Sequence, residues 1–584
     1  MSAVLTAQEP SAKYLVNLQP PLVRNFNLIA QAPGGVARLR ELILTLAVQG
    51  KLVPQDPSDE SASELLKKIR AEKDRLIAEG KIKRDKPLDE IAEEEETFDL
   101  PEGWVWARLG SLCSYIQRGK GPVYAEHSAH RVISQKCIHW YGLDLGPARF
   151  ITSESLTKYE DIRYLKSGDL LWNSTGTGTI GRACLVPQDL DAAGLVADSH
   201  VTVVRPVSLD SVYLWRWIQS PYVQNEIEGS ASGTTNQIEL NTSTVFNQLI
   251  PVPPLAEQSR IVARVEELMH LCDTLDASGQ LEAQQHAQLV NTLLGTLTQS
   301  ETPEALADNG QRIATHFDVL LDRPEAVDAL EQTILQLAVR GLLVPRDSTD
   351  EPASVLLQKI RAEKDHLIAQ GKIKRDKPLP PITDAEKPFE LPQGWEWVRL
   401  GDISEFSNGF AFPSSEFTSN ASGVGVIKIG DIQNGVVSTA GMSYVSKKYA
   451  TTIDPAFQVV TGDMLIAMSG ATTGKLGFNR QTQSFLLNQR VGKIKLYSVA
   501  NDFAYQYLVT KISENLAISA GSAIPNLSTA QIKEIVFPLP PQAEQLRIVA
   551  RVNELHGLCA DLRKRLMAGQ VAQAHLADAL VTSN

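Results

Sequence analysis

The sequence predicts an α+β protein in which two globular mixed α/β modules are separated by long helices forming an antiparallel coiled-coil spacer, the whole duplicated with pseudo-twofold symmetry. Three observations carry this. First, the chain contains itself twice: GKIKRDKPL stands at Gly80–Leu88 and again at Gly371–Leu379, and KIRAEKD at Lys68–Asp74 and Lys359–Asp365, all at an offset of 291. That period is far longer than the roughly 20–50 residues of a solenoid or propeller unit, so it marks one duplication. Second, each copy closes on a Pro-Pro followed by apolar residues at heptad spacing, PPLAEQSRIVARVEEL at Pro253–Leu268 and PPQAEQLRIVARVNEL at Pro540–Leu555. Third, the stretches between these matching frames diverge, and they carry short β-type runs broken by Gly, Asn, Ser and Thr.

Residues 1–99 read as the first helical frame. It contains LRELILTLAVQG at Leu39–Gly50, and a helix is expected near Glu64–Glu79, where Ser61 and Glu64 have capping-box spacing and Gly80 supplies the stop. Residues 100–252 are the first variable module, opened by LPEGWVWARLG at Leu100–Gly110. Its Trp104 and Trp106 lie two apart, as strand residues do, and should anchor the module to its frame. Strands are expected at Arg131–Ser134 and Val201–Arg205.

Residues 253–300 form the central helix, with Ile261, Val265, Leu268, Cys272 and Leu275 spaced 4, 3, 4, 3 as a coiled-coil seam. From Arg260 to about Thr298 it would span on the order of 58 Å, with Gly279 and Gly295 as possible interruptions.

Residues 301–390 repeat the frame. Thr302–Arg323 reads as a linker plus a short helix, Phe317 maps onto Phe26, and LEQTILQLAVRG follows at Leu330–Gly341. Residues 391–539 are the second module, opened by LPQGWEWVRLG with Trp395 and Trp397, and with strands expected at Val424–Ile429, Asp463–Met468 and Val491–Leu496. Residues 540–584 are the C-terminal helix, whose seam is Ile548, Val552, Leu555, Cys559, Leu562 and Leu566. The two seams are the obvious pair for each other.

At 584 residues the chain has room for about three to five domains. Its 43% hydrophobic and 21% charged residues describe an ordinary soluble globular protein, expected in a reducing cytoplasm. Five dispersed cysteines suggest neither a disulfide framework nor a zinc site, and no stretch approaches the length of a membrane span. The net charge of −12 argues against a uniformly basic surface for nucleic acid.

Catalytic and metal-binding motifs fail on inspection. SGATTGKL at Ser469–Leu476 has three residues where a phosphate loop needs four, and Leu476 stands where magnesium needs a hydroxyl. STGTGTIGR at Ser174–Arg182 has the spacing but lacks the Lys and the Ser or Thr. No histidine cluster, nucleophile elbow or dinucleotide fingerprint appears, so no catalytic residue and no metal site is expected. Charge is instead segregated: Lys67–Lys86 holds nine basic against four acidic residues, net +5, and Gln358–Lys377 seven against three, net +4. Such a run serves either as a solvated helix face or as a surface for phosphate or a protein partner.

The LPxGWxWxRLG openings, the Gly168-Asp169-Leu170 and Gly462-Asp463-Met464 turns and the two PPxAEQxRIV helices together resemble the specificity subunit of type I DNA restriction-modification enzymes. The longer frame containing GKIKRDKPL resembles the longer-chain subgroup of that family. The resemblance implies that each module is a target recognition domain reading one half of a bipartite, asymmetric double-stranded DNA target. It implies that the helices act as a ruler and dock two methyltransferase subunits, and that restriction and translocase subunits join the full complex. S-adenosylmethionine, ATP and magnesium would then sit on those partners and none on this chain, a non-catalytic subunit serving defence against foreign DNA in the cytoplasm of a bacterium or archaeon.

Two readers on a rigid spacer address one face of B-DNA when they sit about one helical turn, roughly 34 Å, apart. Polar and basic side chains on loops are the residues that reach base edges. The DNA-contact candidates are Lys120, Lys136, Ser174, Thr175, Thr177, Thr179 and Arg182 in the first module. In the second they are Lys428, Ser469, Thr472, Thr473, Lys475, Arg490 and Asn526. The alternative is a non-catalytic coiled-coil protein–protein scaffold presenting two variable ligand modules.

Overall fold

A computed structural model describes residue 26 and residues 28–582, apart from 85–86, 177, 191–193, 232–239, 301 and 519–525. The chain divides into two compact units, one built up to Glu282 together with the residues from Gly569 onward, the other from Ala283–Ala568.

In the first unit, helix α1 (Gly35–Val48) and helix α2 (Ala62–Ala78) form the frame. α2 stops at Gly80, whose φ of +68° suits a residue without a Cβ. The expected capping box does not form. Ser61 makes no side-chain cap, and Glu64 instead pairs with Lys67 at 2.7 Å. Gly50 ends the α1 turn at φ +68°, and a Cβ there would come within 2.5 Å of the Pro101 ring and 3.0 Å of Trp104. Gly341 repeats this against Pro392 and Trp395, so the LAVxG and LPxGW phrases recur together because they pack together.

The first module contains β1 (Val105–Arg108), β2 (Cys113–Arg118), β3 (Leu170–Asn173), β4 (Ala183–Leu185), β5 (Val201–Pro206) and β6 (Leu249–Val252). β1 pairs antiparallel with β6, Val105 opposite Val252, so the module opens and closes on one two-stranded ribbon. Between them β2, β5, β3 and β4 form an antiparallel sheet in that order. The expected strands at Arg131 and Val201 are present, over Arg131–Ile133 and Val201–Pro206. Trp104 precedes β1 rather than sitting in it, and is buried, while Trp106 lies in β1 edge-on to Trp217.

Helix α3 (Leu255–Thr298) is continuous for 44 residues, about 66 Å, passing through Gly279 and Gly295 without a break. Its seam residues Ile261, Val265, Leu268 and Cys272 are fully buried and Leu275 partly so. They share a core with Phe26, Leu39, Leu42, Ile43 and Leu46, so the seam's neighbour is chiefly the frame helix of its own half. Heptad spacing announces a buried stripe without naming the partner. Arg40 of α1 adds ion pairs to Asp273 and Asp276 of α3 at 2.8 and 2.9 Å.

In the second unit the segment read as a linker is helical over Pro303–Thr315 and Phe317–Leu320. Thr302 accepts the Ala305 amide at 3.1 Å and Pro303 takes the first helical position, a start signal stronger than the linker composition around it. Phe317 is 40% exposed whereas Phe26 is buried, so the offset that aligns them does not carry a shared role.

Helices α4 (Pro324–Val339) and α5 (Ala353–Ala369) repeat the frame. The module repeats the first plan with β7 (Glu396–Arg399), β8 (Ser404–Asn408), β9 (Met464–Ala467), β10 (Leu476–Phe478), β11 (Val491–Leu496) and β12 (Val536–Leu539). β7 pairs with β12, and β8, β11, β9 and β10 form the sheet in that order, extended by Gly435–Val437 and Ile432–Gln433. Of the strands expected here, Val424–Ile427 also forms.

The last helix, α6 (Gln542–Thr582), carries Ile548, Val552 and Cys559 buried, and Leu555, Leu562 and Leu566 half-buried, against Val327, Ile334 and Ala338 of α4. Arg563 joins Asp328 and Glu331 of α4 at 2.5 and 2.8 Å. The end of α6, with Ala577, joins the first unit's core around Ile261–Cys272, near the start of α3. In the second unit Leu562 borders the cluster of Val290, Leu294 and Leu297 near the end of α3. Each unit therefore holds opposite portions of the two long helices, which is the antiparallel order.

Candidate nucleic-acid interface

In the first module the candidates gather where β3, β4 and β5 end. The loop from Ser174 to Arg182 is tied at its ends, the Asn173 amide donating to Arg182 O at 2.8 Å and the Gly181 amide to Asn173 O at 3.0 Å. The Ser174 amide donates to His200 O at 2.9 Å, and the Leu240 amide donates to Ser174 O at 2.8 Å. Arg118, at the end of β2, donates to Leu240 O at 3.0 Å. The turn at Gln135–Cys137 closes the group: Asn173 Nδ2 donates to Gln135 O at 3.2 Å, and Thr179 Oγ1 lies 3.4 Å from Gln135 Oε1.

The second module builds the same knot from other residues. The Ala467 amide donates to Lys475 O at 3.0 Å, Met468 to Arg490 O at 3.0 Å, and Leu527 to Met468 O at 2.9 Å. Thr472 Oγ1 donates to Ile429 O at 3.0 Å, in the turn Ile429–Asp431. Arg182 thus corresponds to Lys475, His200 to Arg490, Ser174 to Met468 and Thr179 to Thr472. The turn before β5 and β11 also matches: Asp198 Oδ1 accepts the His200 amide at 2.9 Å, and Asn488 Oδ1 the Arg490 amide at 3.4 Å. Gly119 and Gly409 lie against this turn, where a Cβ would come within 2.0 Å of Ala197 O and 2.1 Å of Leu487 O.

Within this frame the candidates divide. Lys136 and Arg490 are exposed, and Arg182 and Lys475 are half-buried at the loop ends. Asn526 is exposed beside Leu527. Thr175 hydrogen-bonds His200 Nδ1 at 2.7 Å at the rim. Ser174 is corrected by the structure: it is fully buried, bonded to Thr202 Oγ1 at 2.5 Å, and it holds the loop rather than facing a ligand. Ser469 Oγ is also enclosed and makes no hydrogen bond among the described residues. Thr473 turns inward onto Gly470 O at 2.7 Å. Lys428 lies over the Phe417 ring at 4.0 Å and donates to Ser443 at 2.7 Å, while Lys120 donates to Lys158 O at 2.5 Å. Thr177 lies outside the described residues.

His200 went unrecognised in the sequence because a lone histidine carries no spacing signal. Tyr141 was missed too. It is 78% exposed, stacked on His139 at 4.8 Å, and it follows the Lys136 turn. The aromatic run His139-Trp140-Tyr141 was the available sign of a ring left at the surface beside a cation. Burial pushes Asp198 up from the ordinary carboxylate range, with the His200 amide opposing.

Among the described residues no three His, Cys, Asp or Glu side chains group as a metal site. All five cysteines are free and buried, and burial pushes the Cys184 thiol up to about 12 and Cys272 to about 11. No described helix is long and apolar enough to cross a membrane.

The family profile of the type I restriction modification DNA specificity domain matches residues 90–283 and again 392–568. The type I restriction enzyme EcoAI specificity subunit of Escherichia coli is 40% identical over 564 residues, covering 94% of this chain and 93% of that protein. The EcoEI specificity subunit, also of Escherichia coli, is 35% identical over 573 residues at the same coverages. A solved chain from work on complex assembly of the type I R-M system shares 20% identity at a TM-score of 0.49, over 83% of this chain and 98% of that one.

Proposed function

The chain belongs to the family of type I restriction-modification DNA specificity subunits, and on that premise we propose that its two target recognition domains each read one half of a bipartite, asymmetric DNA target through the loop knots described above. Residues 100–252 and 391–539 are the two readers. The frames, at 1–99 and 301–390, and the long helices, at 253–300 and 540–584, hold them apart and carry two methyltransferase subunits, with restriction and translocase subunits completing the complex. S-adenosylmethionine, ATP and magnesium belong to those partners. This chain performs no chemical step, and its place is the cytoplasm.

One observation carries the reading: two modules of divergent sequence end in the same hydrogen-bonded knot, with a cation at the same place in each, Arg182 and Lys475. The backbone scheme is held constant while the side chains differ, which is what reading two different half-sites requires. Selection of duplexes from a randomised pool by the assembled complex tests it. Recovery of two fixed half-sites with a fixed spacer supports the proposal, and recovery of no motif favours a protein scaffold instead.

A further inference from the structure

We propose that the exposed cations of the duplicated Gly80–Leu88 and Gly371–Leu379 segments bind backbone phosphates of the duplex flanking each half-site. This rests on the DNA-reading function above and names a surface which that function does not use.

The basic runs are mostly neutralised where they are helical. Lys67 pairs with Glu64, Lys68 with Glu60, Arg75 with Glu72 and Glu79, and Lys359 with Glu351, at 2.6–3.1 Å. Two further lysines are turned inward: Lys73 Nζ donates to Gly110 O at 2.7 Å, and Lys364 Nζ to Gly401 O at 2.7 Å and Ser404 O at 3.1 Å. Arg70 and Arg361 stay exposed on the helices, and the other cations lie beyond the glycine stop. Lys83 and Arg84 in the first copy, and Lys372, Lys374 and Lys377 in the second, are exposed and form no ion pair among the described residues.

Their placement continues the reading loops. In the first unit Lys81–Lys83 line a cleft of about 250 Å³ with Tyr115 and Gln117 of β2, and β2 runs on to Arg118 inside the knot. At about 3.3 Å per residue, the five steps from Cys113 to Arg118 cover about 17 Å, the rise of roughly five base pairs. In the second unit Asp376 holds Lys533 at 2.6 Å, and the helix ending at Lys533 starts just after Asn526 and Leu527 of the knot.

The occupant follows from the chemistry. A verbatim segment beside two divergent readers has a task that does not depend on the bases read, and phosphate is the part of DNA common to every sequence. A stable protein interface has an apolar centre. Among the described residues, no large apolar side chain is exposed between residues 60 and 120 or between 340 and 430.

The test uses the chain assembled with its methyltransferase subunits, on a target duplex extended by ten base pairs on each side. Each lost phosphate contact lowers the slope of log K against log salt by about 0.9. K83A/R84A is expected to flatten the slope by about 2 and K372A/K374A/K377A by about 3, leaving the methylated motif unchanged. K83R and R84K should keep the wild-type slope, and duplexes trimmed to the target should not distinguish any of these proteins. Unchanged slopes on the long duplex, with wild type binding its target, overturn this inference alone. Loss of methyltransferase assembly with the slope intact also overturns it, in favour of a protein partner. A wild-type complex that binds no duplex overturns the functional reading and this inference with it.

Discussion

Trp104 Nε1 donates to Glu257 Oε2 at 3.0 Å, and 291 residues further on Trp395 Nε1 donates to Glu544 Oε2 at 3.0 Å. Both carboxylates are buried and belong to the PPxAEQ phrase, and both indoles belong to LPxGW. The neighbouring glutamines complete the clasp: Gln258 Oε1 accepts the Asp210 amide at 2.9 Å and Gln545 Oε1 the Ala500 amide at 2.8 Å, each at the start of a module helix. The phrases recur because each module is clamped at its mouth, opening phrase to closing helix, whatever lies between.

Burial raises the Glu257 and Glu544 carboxyls above the ordinary range, with the tryptophan bonds opposing. A folded-state pKa above the unfolded one gives stability that is complete below the unfolded value and lost as pH rises through the folded value. E257Q keeps the acceptor and removes this loss, so its melting temperature relative to wild type should rise from pH 4.5 towards neutrality and then level off. E257A leaves the indole N–H unpaired and should cost about 1–3 kcal/mol in denaturant unfolding. A flat difference between E257Q and wild type would refute the burial argument.

The Gly-Asp turns act through ion pairs of unequal strength. Asp169, 1% exposed, receives Arg205 in bidentate fashion at 2.6 Å, whereas Asp463 faces Lys493 at 3.8 Å. D169N leaves a buried guanidinium uncompensated and should destabilise the first unit by about 3–5 kcal/mol. D463N should cost the second on the order of 1 kcal/mol. Equal losses by chemical denaturation would contradict this.

The frames pair with their own long helices through charges of opposite arrangement. Arg40 on the frame helix meets Asp273 and Asp276, while in the second copy the frame supplies Asp328 and Glu331 and the long helix supplies Arg563. A crossed pairing would set Arg40 against Arg563. A double-mutant cycle on R40E and D276R should return a coupling of about 0.5–1 kcal/mol, since these groups are partly exposed. Zero coupling would remove the charges from partner choice.

At the knots, R182A should weaken discrimination in one half-site and K475A in the other, each by about 1–3 kcal/mol in competition binding by the assembled complex. S174A should act through stability and leave base preference alone, because its hydroxyl is enclosed against Thr202. A change of preferred bases in S174A would show that the loop opens on DNA.

The frame was legible because duplication exposes it: two copies of LAVxG, KIRAEKD and PPxAEQ isolate what packing demands from what each module varies. The heptad residues were legible as buried, although their neighbours were not, since spacing gives a stripe and not a partner. The pairing of Val105 with Val252 had no local sign, because ladder partners so far apart are chosen by the tertiary fold. Gly- and Thr-rich stretches marked these segments as loops, yet Ser174, at the strand end, is fully enclosed while Arg182 is only half-buried. β3 is buried on both faces from Leu170 to Asn173 and that enclosure runs on to Ser174, which a short polar run conceals.

The central claim is that each module reads its own half-site. Replacing residues 111–250, and separately 402–537, by the corresponding residues of a relative with a different target, and then mapping methylated adenines genome-wide with the methyltransferase present, tests it directly. The account predicts that each exchange changes one half of the methylated motif and leaves the other half and the spacer as they were. A motif unchanged by either exchange, or altered in both halves by one, would contradict it.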